Sequence, residues 1–152
     1  MDRLRGDALC VAWCVWAADQ QWAAVRRRGS ALLILVVVEE LASKEKTQAP
    51  PAWVVWDALA DPGSSAWLDL TDGEVAPHVL EASRPALVVW SSLWPDRPHD
   101  QVRFELRPKD GGCAVRWRLL SPDTAPPAEV IRHRRHRLNF LINGKLRATF
   151  DL

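Results

Sequence analysis

Tyrosine is absent from this chain, and methionine occurs once. Cysteine is also scarce. Cys10, Cys14 and Cys113 are too few and too unevenly placed for a disulfide scaffold, so free thiols and a cytoplasmic setting are expected. No run approaches the roughly 20 apolar residues that a spanning helix needs, so no membrane span is expected. An excess of one charge sign is missing too. The formal net charge is +1, which argues against a dedicated nucleic-acid or membrane-surface protein. There is no nucleophile elbow, phosphate loop, dinucleotide fingerprint or paired-cysteine zinc signature, so no cofactor and no metal are expected.

What is present is tryptophan, nine in 152 residues. The accompanying wealth of alanine, arginine and proline fits a GC-rich coding sequence, which accounts for part of that number. A chain of this length makes one domain that buries roughly two-thirds of the surface its unfolded form exposes. Three of the indoles fall within residues 87–120, and the sheet that carries them has to set them against a packed core or a ligand.

Residues 1–30 read as an N-terminal helical extension. Leu9, Trp13, Trp16 and Ala17 recur at helical spacing ahead of Arg26, Arg27 and Arg28. The opening resembles a short signal peptide, but Asp2 and Asp7 dilute its positive region and two tryptophans interrupt its apolar core. Three readings stay open: a docking helix, an amphipathic membrane-surface helix, or a stretch translated from a start codon placed too far upstream. The domain proper is expected over residues 31–152.

ALLILVVVEELAS (31–43) is β-branched and apolar, which predicts a buried strand at its middle, with SKEKTQ as a loop. Pro50 and Pro51 open a helix that places Trp53, Trp56 and Leu59 on one stripe and stops at Pro62-Gly63. SSAWLDL predicts a second, single-turn helix. Pro77 marks EVAPHVLEAS as an edge strand or an irregular one. In ALVVWSSLW both faces are apolar, and alternation leaves the orientation of Trp90 open.

The next two strands alternate cleanly. Val102, Phe104 and Leu106 share one face of VRFELR, and Cys113, Val115, Trp117 and Leu119 share one face of CAVRWRLL. Asp110-Gly111 between them is a two-residue hairpin signal, because a type I′ turn needs positive φ at both central positions. Pairing Lys109 with Gly112 sets Leu106 opposite Val115, Phe104 opposite Trp117, Glu105 opposite Arg116 and Arg103 opposite Arg118. After a proline-rich loop, residues 128–149 show helical periodicity through Val130, Ile131, Arg134, Leu138, Leu141, Ile142, Lys145 and Leu146, with Gly144 placed for a bend or a close contact.

The segments APPAWVVWDALADP, SSAWLDL, PALVVWSSLWP, FELRPKDGGCAVRWRLL and RLNFLINGKLRATF, in that order, make residues 31–152 resemble the SRPBCC superfamily, which includes START lipid-transfer domains, polyketide cyclases and relatives of heat-shock ATPase activators. The resemblance implies an α+β helix-grip fold, a curved antiparallel sheet wrapped around a long C-terminal helix. It also implies a cavity between them for a hydrophobic small-molecule ligand. The implied lining is Trp90, Val102, Phe104, Leu106, Val115, Trp117 and Leu119 from the sheet, and Arg134, Leu138, Leu141 and Ile142 from the helix.

No catalytic residues are assigned. A cyclase-like enzyme would need an inward histidine beside a carboxylate. Only Asp69, Glu74, His78 and Glu81 fall near the implied entrance, and the two clean strands offer no inward ionisable pair. Binding is therefore expected rather than catalysis. The run RHRRHR, from Arg132 to its last residue Arg137, is the main charge feature. Residues 126–152 carry six basic side chains against Glu129 and Asp151, for a net +4, and the rest of the chain carries −3. A helix spreads six consecutive residues around its axis, so Arg134 is expected to face the sheet while the others form a solvated face or a surface for a protein partner.

Overall fold

The computed structural model describes residues 22–26 and 33–151, with side chains from residue 37 onward. Two compact units divide the chain, Met1–Glu39 and Glu40–Leu152. In the first, β1 (Trp22–Arg26) and β2 (Leu33–Val37) form an antiparallel two-stranded sheet, with Trp22 opposite Val37 and Arg26 opposite Leu33. The end of the expected N-terminal helix is thus a strand; its earlier part lies outside the described residues. Val37 is exposed, contrary to the burial expected of this run.

The second unit is built on a five-stranded antiparallel sheet in the order β3-β7-β6-β5-β4. β3 (Glu39–Gln48) runs through SKEKTQ, so the expected loop is strand. The polar Ser43–Thr47 stretch is compatible with an edge position, where charged side chains face water and only Gln48 is fully buried. β4 (Val79–Ser83) is the opposite edge, exposed along its whole length, as the proline before it suggests. β5 (Leu87–Ser91) pairs with β4 and with β6 (Gln101–Lys109), and β6 pairs with β7 (Gly112–Ser121).

The β6–β7 register matches the expected one at every pair: Lys109 with Gly112, Leu106 with Val115, Phe104 with Trp117, Glu105 with Arg116, Arg103 with Arg118. Asp110 and Gly111 have φ of 50° and 79°, the positive values that a type I′ turn demands. The like-charged Arg103–Arg118 pair is relieved by flanking carboxylates. Arg118 donates to Glu40 at 2.7 Å and to Glu105 at 3.4 Å, and Arg103 lies 3.9 Å from Glu105. Glu105 therefore serves its diagonal neighbour, Arg118, while Arg116 reaches Glu40 at 3.7 Å.

Helix α1 (Ala52–Leu59) packs on β5, β6 and β7 through Ala52, Val55 and Leu59. The stripe expected through Trp53 and Trp56 is rotated from this buried face. Trp53 is 53% exposed, and Trp56 is half-buried with its Nε1 donating to the Leu87 carbonyl at 2.8 Å. The arginine of the β4–β5 turn, Arg84, lies 5.9 and 5.8 Å from the two rings and pairs with Asp57; Trp56 packs against the edge of the core as well, whereas Trp53 is left at the surface. The single-turn helix forms at Pro62–Ser64, just before the position expected, because proline presets φ for the first helical residue there.

The C-terminal helix begins as α2 (Ala128–Asn139) and continues as a π-helical segment, Phe140–Leu146. Gly144 lies within that segment, and a Cβ there would meet only the Phe140 ring at 3.7 Å, so of the two expectations, a bend or a close contact, the close contact with the sheet does not occur. The inner faces of the sheet, α1 and the C-terminal helix share one apolar core. Each fully buried Leu, Val or Phe in it contributes on the order of 1.5–3 kcal/mol relative to exposure.

Candidate functional site

All the residues expected to line an interior site except Arg134 are brought together. Trp90, Val102, Phe104, Leu106, Val115, Trp117, Leu119, Leu138, Leu141 and Ile142 all belong to one buried cluster. Pairing decides the point that alternation left open. Trp90 sits opposite Val102 and Val88 opposite Phe104, so both share the inner face, while Val89 lies opposite Arg103 on the outer one. Trp90 meets Phe104 edge to face at 4.6 Å, and its Nε1 donates to the Leu59 carbonyl at 2.7 Å.

Sequence reasoning missed several members of this interior. Trp67 stacks on Trp90 at 6.0 Å, and Leu93 and Trp94 are buried in the same cluster. Trp67 and Trp94 sit in irregular segments, where no period marks an inward face. Their size and apolarity were the only signals.

Polar atoms inside this apolar shell are not all satisfied. Among the described residues, the indole nitrogens of Trp67 and Trp117 are buried with no hydrogen-bond partner, and so is Oε1 of Gln48, whose Nε2 donates to the Ile142 carbonyl at 3.2 Å in the π segment. A buried donor without an acceptor costs about 1–3 kcal/mol. The thiol of Cys113 is also wholly buried, and that burial pushes its pKa up to about 11, which leaves it an unreactive apolar side chain at neutral pH.

A groove of about 420 Å³ opens where the 71–74 turn, the β5–β6 connection and the first turns of α2 meet. Trp94 and Arg134 line it from the protein side, and Asp72, Asp96, Glu129 and His133 surround it. The Arg134 side chain is only 9% exposed; its guanidinium sits 4.9 Å from the Trp94 ring, and Nη2 contacts both oxygens of Asp96 at 2.9 and 2.7 Å. The Arg134 hydrogen bond holds the Asp96 carboxyl below the ordinary range. Nη1 of Arg134 is buried and has no hydrogen-bond partner among the described residues.

One helical turn on, Arg137 donates to Glu74 at 2.9 Å, with these side chains 11% and 4% exposed, and also reaches the Asp69 carbonyl. Burial pushes the Glu74 carboxyl up, but the Arg137 bond and the Thr71 backbone N–H together hold it below 4.5. Of the other ionisable groups considered for an entrance, His78 and Glu81 are exposed, and Asp69 lies 3.6 Å from Lys145. None of the described residues sets a histidine beside a carboxylate on the inner face.

No protein-family model matches the chain, and no curated protein is significantly similar to it. Solved structures do resemble it. CalU16 from Micromonospora echinospora superposes with a TM-score of 0.51 at 15% identity, over 82% of each chain. BH1534 from Bacillus halodurans gives 0.53 at 19% identity, over 72% of this chain and 95% of the other. Ara h 8.0201 gives 0.51 at 12% identity, over 76% and 99%. With the five-stranded sheet and long C-terminal helix, these similarities show a helix-grip fold of the α+β class.

Proposed function

We propose that this chain binds a hydrophobic small molecule between the inner face of its sheet and its C-terminal helix, as a binding domain and not as an enzyme. The observation that carries the reading is the Trp117 indole N–H, which is fully buried in apolar surroundings without an acceptor. An apolar ligand bearing one carbonyl, ether or hydroxyl oxygen would satisfy it. The π-helical segment that supplies Leu141 and Ile142 supports the same placement, since such distortions recur at functional sites. Burying about 300 Å² of apolar ligand surface gains roughly 7 kcal/mol. Association costs at least about 4 kcal/mol, so apolar burial alone leaves at most about 3 kcal/mol, an affinity no tighter than millimolar.

Native mass spectrometry of freshly purified protein tests this reading, together with calorimetric titration of apolar probes of graded size. A retained small molecule, or saturable binding weakened by Trp117→Phe, supports it. An unliganded mass with no probe bound counts against it.

A second reading has its own observation. Arg132, Arg135 and His136 are exposed on the outer side of α2, and a cationic face of this kind suits an acidic protein partner. Charge reversal at Arg135 is its test, scored by loss of a co-purifying partner. Arg134 is buried and ion-paired, so reversing it would perturb the fold itself.

A further inference from the structure

The geometry points to Arg134 as an anion-recognition residue: the ligand carries a carboxylate, which engages this guanidinium at the floor of the groove while its apolar body lies toward Trp94. This rests on the ligand-binding reading above and adds the chemical class of the ligand.

Three observations converge on it. The first is a cation more than nine-tenths buried, with an unpartnered Nη1, lining a groove that opens to solvent. The second is the way Arg134 is held. Asp96 directs both oxygens at Nη2 alone, so the two-pronged edge that a planar carboxylate prefers is only half used. Asp96 itself is 64% exposed, so it can swing into water at little cost and give up its place. The third is Trp94, which is both a member of the buried cluster and a wall of the groove, and so joins the apolar interior to the cation.

The groove also holds negative charge. Glu74 is matched by Arg137, whereas Asp72 and Glu129 sit exposed at the rim. Solvent and salt screen those rim charges far more than they screen a buried guanidinium, so an anion that reaches the floor is attracted on balance.

Isothermal titration with 2-naphthoate and dodecanoate, each beside its methyl ester, tests this in the wild type, Asp96→Asn and Arg134→Gln. In the wild type at least one acid should bind about tenfold more tightly than its ester. Asp96→Asn should tighten the acid several-fold and leave the ester unchanged. Arg134→Gln should erase the difference between them, with circular dichroism confirming that the variant is folded. If acid and ester bind equally in the wild type and in Asp96→Asn, the carboxylate assignment falls while the apolar site stands. If neither acid nor ester binds in any variant, the apolar site falls and the assignment with it.

Discussion

Single side chains in this protein are held by their partners more than by their own character. Glu74 shows it best, because burial alone would keep its carboxyl protonated to higher pH, and Arg137 reverses that. A carboxyl held below its ordinary value in the folded state contributes stability that is present above 4.5 and is lost as pH falls through the folded-state value. Glu74→Gln should therefore be less stable than wild type at neutral pH and should show a shallower loss of stability below pH 4.5, measured by denaturant unfolding at a series of pH values. Trp117→Ala should cost about 3–5 kcal/mol if its surroundings are closely packed, and less if they hold space for a ligand; equilibrium unfolding reads the difference. Cys113 should resist alkylation in the native protein at pH 8 and react once unfolded, which peptide mapping after iodoacetamide treatment would show.

The β6–β7 hairpin is the element that the amino-acid sequence described most completely. Alternation and Asp110-Gly111 act within a dozen residues, so turn and register follow from local chemistry. Just after that turn, a Cβ on Gly112 would collide with the carbonyls of Gln48 and Ala49, where the end of β3 lies beside the start of β7. Gly112→Ala should destabilise by about 1–3 kcal/mol, whereas Gly63→Ala, with open space around it, should change little; thermal unfolding of the two variants makes the comparison. α1 and β3 were read less well. Spacing sets Trp53 on one stripe with Trp56 and Leu59, yet Trp53 stays at the surface beside Arg84, which is distant in sequence. SKEKTQ was expected to be loop because it is polar, but an edge strand with one face in water tolerates that composition.

At the scale of the whole molecule, the five-stranded sheet and its helix belong to the unit Glu40–Leu152, apart from the first residue of β3, and β1 contributes nothing to that sheet. Deleting residues 1–28 should leave a cooperative unfolding transition in place; loss of soluble, cooperatively unfolding protein would contradict this. From α1 onward the order of elements, together with the hairpin register and most of the inner-face residues, was determined by the sequence alone, since each rests on periodicity or turn chemistry over a few residues. Only the tertiary structure decided the inward turn of Trp90, the burial of Trp67 and Trp94 from irregular segments, and the meeting of Arg134 with Asp96 across 38 residues. Those depend on which distant surfaces the sheet and helix present to one another, and no local pattern in the chain encodes that.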